Sequence, residues 1–320
     1  MKLSSIAIEL GASYVGNGDI EITSLAFNKA SSSSIIYISS ISKIPKNYHE
    51  YGAIICPSDI LDFLPRANII HTNQHRIAFA ELTNLLKKKP TGKEFKKLPG
   101  CLNCFVAEST VIGKKVVFGC NVVIEENVSI GNMVNIGHNV VIHSGSRIGN
   151  NVNIDSGTII GSEGFGNVLD KNKNWKHIYH HGNVVIGNNV SIGSNCSIDR
   201  GTLDNTIINK GVIIDNQVHI AHNVVIGEKT AIAANTGIAG SCIIGKRNMI
   251  GGMVGIIDHI NTVDDVIISA TSTVNKDIKE SGTYTGIMPI SCHANWKRIA
   301  LWITKLDKIA KFLNLKRLKL

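Results

Sequence analysis

An aliphatic residue returns at every sixth position through most of this chain, and few folds can use a period of six. From Val106 the series runs through Ile112, Phe118, Ile124, Ile130, Ile136, Ile142, Ile148, Ile154 and Ile160. A second run from Ile208 to Ile256 keeps the same beat, lapses at Thr262 and resumes at Ile268 and Val274. A helical period of 3.6 would scatter these residues around a cylinder, whereas short strands bent at turns every six residues point them all at one axis. The spacing therefore predicts a parallel β-helix. Three hexads make a triangular coil, so positions eighteen apart stack at the spacing of neighbouring strands, roughly 4.8 Å. Gly follows the aliphatic residue repeatedly, as at Gly113, Gly119, Gly131 and Gly137, and Asn often comes next, as in Gly149-Asn150-Asn151. Both types tolerate positive φ, which marks these positions as corners.

Composition agrees with a narrow prism. Aromatics are only 5% of the 320 residues, and such a chain has room for two or three domains. The net charge of +9 is concentrated at one end. From His293 to Leu320 there are eight cations, Lys297, Arg298 and Lys305 among them, against Asp307 alone. A basic tail of this kind suits an acidic protein, an anionic membrane or nucleic acid, or is simply a solvated helix face. The seven cysteines include one C-x-x-C, Cys101 and Cys104, with no second pair to complete a zinc site. No apolar run is long enough for a signal peptide or a membrane span, so a reducing cytoplasm is the expected compartment.

Three regions follow, at residues 1–100, 101–286 and 287–320. In the first, Leu3, Ile6, Ala7 and Leu10 have helical spacing, and Gly11 ends that helix. Short β-prone runs follow at residues 20–22, 35–38, 53–56 and 68–71, then a second helix over 74–88. Pro90, Gly92, Pro99 and Gly100, with Lys96 and Lys97 between them, read as a linker. This is a small mixed α/β domain ahead of the β-helix. In the last region Trp296, Ile299, Ile303, Leu306, Ile309 and Leu313 recur at helical spacing, predicting one amphipathic helix over 294–315 that packs on a partner or caps the end of the prism.

The count of six breaks twice. Ile160 and Ile186 are 26 positions apart, which ejects an excursion over 162–182, and Ile198 and Ile208 are ten apart, which adds a bulge near Gly201–Asn205. Ejected loops of a solenoid often do the binding. Two corners carry similar sequences, Asn135-Ile-Gly-His138-Asn-Val-Val-Ile and His219-Ile-Ala-His222-Asn-Val-Val-Ile, and periodicity alone does not choose between them. The neighbourhood favours His222. Eighteen residues on is Gly240; back through the bulge is Arg200; His259 lies one residue past the next member of the column, Asp258. A histidine near neutral pKa beside a backbone N–H is the equipment of acyl transfer.

Here the chain resembles a known family. Gly161-Ser-Glu-Gly164-Phe165-Gly166, Ile198-Asp199-Arg200-Gly201 and Asp215-Asn216-Gln217-Val-His219-Ile-Ala-His222-Asn223 are similar to the UDP-3-O-acylglucosamine N-acyltransferases of lipid A biosynthesis, and the likeness runs over nearly the whole chain. It implies a left-handed coil of hexapeptide repeats, a hand that periodicity does not set, and a homotrimer with clefts between neighbours. It implies His222 as general base, Gly240 as oxyanion donor and His259 as a second active-site histidine. Asp215, Asn216 and His219 would line the substrate cleft, joined by Arg200, which the count places on the same ridge. Where the family holds uracil with an aromatic, an asparagine and a tyrosine spaced three apart, the matching residues are Tyr37, Ser40 and Lys43, so Tyr37 is the one stacking surface left. The donor implied is an (R)-3-hydroxyacyl chain on the 4′-phosphopantetheine of acyl carrier protein, an acidic partner for Lys297, Arg298 and Lys305. No bound cofactor, metal or nucleic acid is expected. The His-Ile-Ala-His motif also resembles the related UDP-N-acetylglucosamine O-acyltransferases. Two further alternatives are a zinc-dependent hydratase on the same prism, suggested by His180-His181, and a scaffold without activity.

Overall fold

The computed structural model describes residues 1–26, 30–87, 94–98, 100–288 and 290–313. Two compact units are present, Met1–Thr285 and Gly286–Leu320. The protein is mainly β.

The repeat closes as its period requires. Val123 pairs in parallel with Val141, Ser129 with Arg147 and Asn135 with Asn153, one pair on each face and each pair eighteen apart. Among the described residues three sheets of ten, seven and nine strands result, the ten counting the antiparallel Phe95–Lys97, and together they form a parallel β-solenoid. The every-sixth residues fill its axis: Ile124, Ile142, Ile160, Ile198, Ile220 and Ile226 are fully buried, and each contributes about 1.5–3 kcal/mol by leaving water. Thr262, where the pattern lapses, is buried too. Its Oγ1 accepts the Gly245 N–H at 3.0 Å and the Asn248 Nδ2–H at 2.7 Å, so its hydroxyl oxygen is bonded inside the prism.

The corners bear out the asparagine half of the expectation and not the glycine half. Positive φ falls two residues beyond the glycine, on Asn121 (59°), Asn139 (58°) and Asn151 (55°). The glycine answers to space rather than to φ. A Cβ at Gly119 would lie 2.6 Å from the His138 nitrogen of the next coil, closer than atoms approach.

The N-terminal region is a five-stranded sheet ordered Ser13–Val15, Ile69–His71, Ala53–Cys56, Ser34–Tyr37, Ser24–Ala26. It is flanked by α1, Leu3–Glu9, and α2, His75–Leu85. Gly11 takes φ +56° just after α1. Residues 20–22 do not form the expected strand: Glu21 makes a single bridge to Lys2. Ser13–Val15 went unanticipated because all three residues are exposed, leaving no alternation to read. Of the expected linker, Pro90, Gly92 and Pro99 lie outside the described residues. Phe95–Lys97 is instead a strand, antiparallel to Phe105–Ala107, where it covers the open edge of the first coil. Cys101 and Cys104 are disulfide-bonded, with Cα atoms 5.7 Å apart.

In the second unit the expected single helix is two, α3 (His293–Ile303) and α4 (Leu306–Phe312). The Thr304 hydroxyl bonds the Leu301 carbonyl at 2.9 Å, and the Lys305 N–H closes back three residues onto Trp302. A side chain competing for helix carbonyls favours such a break. Pro289 and the basic residues Lys316, Arg317 and Lys319 lie outside the described residues. Among those described, no helix is long and apolar enough to cross a membrane.

Candidate active site

Register places His222 before chemistry does. The strand His219–Ile220 pairs with Ser197–Ile198 behind it and Gly237–Ile238 ahead of it, so Arg200, His222 and Gly240 share one column. The Ser241 N–H donates to the His222 carbonyl at 2.9 Å, and the His259 N–H to the Gly240 carbonyl at 3.0 Å. The imidazole turns toward the coil ahead. A Cβ at residue 240 would lie 2.7 Å from both its Cε1 and its Nε2, so only glycine leaves room for the ring.

Asn223 sets the tautomer. Its Oδ1 accepts the Thr202 N–H at 2.9 Å, which identifies that atom as the oxygen. His222 Nδ1, 3.1 Å from the same oxygen, must therefore carry the proton and donate it. Nε2 keeps its lone pair, on the Gly240 side. The buried Gly240 N–H makes no hydrogen bond among the described residues. Burial pushes the His222 pKa below 6.5; the Asn223 bond pulls upward against it, and His180 pushes down again. A neutral imidazole thus lies against a glycine whose N–H is unused among the described residues.

The excursion closes over this corner. The His180 ring stands edge-to-face on His222 with centroids 5.2 Å apart, and a Cβ at Gly164 would lie 2.8 Å from His222 Cβ. Glu163 beside them is ionised: burial raises its pKa, but His180 and His177 outweigh burial and bring it down to about 2.

The other expected residues divide. His219 is exposed, with Nε2 3.7 Å from Asp199 Oδ2, and Asp199 in turn accepts the Ser162 hydroxyl at 2.6 Å. His259 is exposed at a corner of φ +61°. Arg200 is buried, its Nε donating to the Gly161 carbonyl at 2.7 Å and its Nη2 to the Ser144 carbonyl at 3.0 Å. Those bonds brace the coil from which the excursion departs. Asp215 and Asn216 sit at another corner, following a strand of the nine-stranded sheet rather than the ten-stranded one. Asp215 Oδ2 accepts the Ala234 N–H at 3.2 Å, and Asn216 Oδ1 the Ser194 N–H at 2.8 Å. Tyr37 stacks on Phe79 with centroids 4.4 Å apart and shares a 2.8 Å hydrogen bond with His75 Nδ1, so one face of its ring is taken. Lys297, Arg298 and Lys305 are exposed on the second unit.

No family profile matches the chain. Curated relatives match it end to end. It is 44% identical to a UDP-3-O-acylglucosamine N-acyltransferase of Vesicomyosocius okutanii over 99% of this chain and 98% of that one. One of the same name from Ruthia magnifica is also 44% identical, over 98% and 97%. The chain belongs to the UDP-3-O-acylglucosamine N-acyltransferase family. It is an acyltransferase. Among solved structures, a UDP-N-acetylglucosamine acyltransferase from Campylobacter jejuni superposes with TM-score 0.52 at 25% identity, covering 60% of this chain and 71% of that one. The Bacteroides fragilis enzyme of that name gives 0.52 at 27%, covering 61% and 73%.

Two features of the corner were not anticipated from the sequence. Asn223 looks like one more corner asparagine, and its positive φ of 62° is indeed that; only the facing Thr202 N–H reveals its second role. The excursion also joins two regions. Asn84 donates to the His177 carbonyl at 2.7 Å, the Tyr179 N–H to Thr83 Oγ1 at 3.0 Å and His181 Nε2 to the Thr83 carbonyl at 2.8 Å. Several of its polar residues therefore dock α2 onto the solenoid.

Proposed function

We propose that this enzyme transfers an (R)-3-hydroxyacyl group from acyl carrier protein to the 2-amine of UDP-3-O-acylglucosamine, giving the 2,3-diacylated nucleotide of lipid A biosynthesis. The observation that carries this is the unprotonated His222 Nε2 beside the unused Gly240 N–H. The amine attacks the thioester on the carrier's 4′-phosphopantetheine while Nε2 takes its proton. The carbonyl oxygen, now anionic, meets the Gly240 N–H; the C–S bond then breaks, and the imidazolium returns the proton to the leaving thiolate. An amide and a free carrier thiol result, with no covalent enzyme intermediate. His259, His219, Asp215 and Asn216 contact the sugar nucleotide, Tyr37 stacks on uracil, and Arg200 braces the corner.

The division of residues between two corners supports a homotrimer in which the Asp215 corner of one copy faces the His222 corner of the next. An apolar groove of about 640 Å³, lined by Ile213, Asp215, Ala233, Met249 and Ile267, lies on the face that would pack. The exposed cations Lys297, Arg298 and Lys305 suit an acidic carrier, and the reading carries a cytoplasmic setting with it.

The deciding assay offers purified enzyme a mixture of carrier-bound chains with UDP-3-O-acylglucosamine and identifies the product by mass spectrometry. An amide-linked second chain is the expected result. No transfer, or transfer only to a hydroxyl of UDP-N-acetylglucosamine, would overturn the proposal. Replacing Lys297, Arg298 and Lys305 together by Glu should raise KM for the carrier and leave the nucleotide's KM nearly unchanged, an effect that weakens with salt.

A further inference from the structure

The excursion holds a group of side chains that acyl transfer does not use. It leaves the solenoid after Ser162, folds into a hairpin of Asn167–Leu169 against Trp175–His177, and returns at Val184. At its base, donor atoms of Glu163, His177 and His180 all lie within 4.8 Å of one another. Glu163 Oε2 is 2.7 Å from His177 Nε2 and 3.8 Å from His180 Nδ1. Among the described residues this is the one such convergence of three His, Cys, Asp or Glu side chains.

His180 is the independent sign of a ligand. Its ring is 0% exposed, and neither nitrogen has a hydrogen-bond partner, a condition that buried polar groups rarely tolerate. The loop is shaped around it. A Cβ at Gly164 would lie 2.7 Å from His180 Nε2 and one at Gly166 2.7 Å from Cε1, so that edge is closed by backbone and the Nδ1 edge faces Glu163. We propose that Glu163, His177 and His180 bind a divalent transition metal of the zinc class. Two imidazoles and one carboxylate suit Zn²⁺, whereas Ca²⁺ or Mg²⁺ would want oxygen ligands. Tetrahedral coordination at about 2.0 Å holds donors roughly 3.3 Å apart. The two observed separations straddle that value, and small side-chain rotations equalise them. Glu163 lies on the outgoing limb, and His177 and His180 on the returning one. The ion would tie the limbs together beside His222 and leave a fourth position for water. The inference does not depend on which acyl acceptor the enzyme uses.

Full-length protein without a histidine tag, stripped with chelator, should take up one Zn²⁺ per chain in competition with a chromogenic chelator. Co²⁺ should give the visible absorption of a four-coordinate site. His180 is buried and its loss could unfold the loop, so Glu163→Gln and His177→Ala, both at half-exposed residues, are the informative variants. Each should weaken Zn²⁺ binding by at least about tenfold, since loss of even an outer partner of a metal ligand costs 10–100-fold. Wild-type protein that takes up no Zn²⁺ at micromolar concentration, or variants that bind it as tightly as wild type, would overturn the proposal.

Discussion

Two corners of the solenoid share six of eight residues and do opposite things. In Asn135-Ile-Gly-His138-Asn-Val-Val-Ile the imidazole Nδ1 accepts the Cys120 N–H of the coil behind, at 2.9 Å. The coil ahead presents Ser156, whose Oγ accepts the His138 N–H at 3.1 Å, and Asn139 Oδ1 accepts from Asn121 instead of from its neighbour. In His219-Ile-Ala-His222-Asn-Val-Val-Ile, Nδ1 donates to Asn223 and the coil ahead presents Gly240. A neutral His138 therefore carries its proton on Nε2, and a neutral His222 carries it on Nδ1. The histidine's chemistry is set by the coils on either side and not by its own hexad.

The largest contrast expected is between His222→Ala and His138→Ala. The first should lower kcat by about 10² to 10⁴, the usual cost of losing a general base, and the second by no more than roughly twofold. Equal activity in the two variants would remove the basis for placing the base at 222. Next comes Gly240→Ala, whose Cβ would displace the imidazole it now contacts. A misplacement of that order costs about 10² in kcat, while Ser156→Gly at the matching position should be near neutral; melting curves would separate displacement from unfolding. Asn223→Ala should cost about tenfold, the worth of one hydrogen bond converted to rate, and Asn139→Ala nothing measurable. A full-rate Asn223→Ala enzyme would mean that the tautomer needs no partner.

The smallest effect is a shift of the pH profile. A base acts when unprotonated, and burial lowers the His222 pKa from 6.5. The acid limb of kcat/KM should therefore lie below pH 6.5. Removing Asn223, whose bond raises that pKa, should move the limb lower still. A wild-type limb above 6.5 would contradict a buried neutral ring.

Much of the fold was legible because each of its coils repeats one instruction. Ile124, Ile142 and Ile160 stack because an aliphatic residue every sixth position has one geometric solution, and even the column of Arg200, His222 and Gly240 follows by counting. The N-terminal sheet was partly legible. Ala53–Cys56 is a continuous apolar run and was anticipated, but exposed Ser13–Val15 carries no pattern. The break between α3 and α4 was hidden in one threonine hydroxyl. Glu163, His177 and His180 were illegible as a group, since spacings of fourteen and three gain meaning only once a hairpin folds back.

The sequence by itself determined the solenoid and its register, because periodic burial of apolar side chains is a one-dimensional constraint that counting can solve, and the same count put Gly240 one coil from His222. Only the tertiary structure decided which nitrogen of His222 holds the proton, that Arg200 faces backward, and that the excursion brings Glu163 near a buried His180 whose nitrogens make no hydrogen bond. Those outcomes depend on hydrogen-bond directions and side-chain rotations between distant segments, which no spacing along the chain encodes.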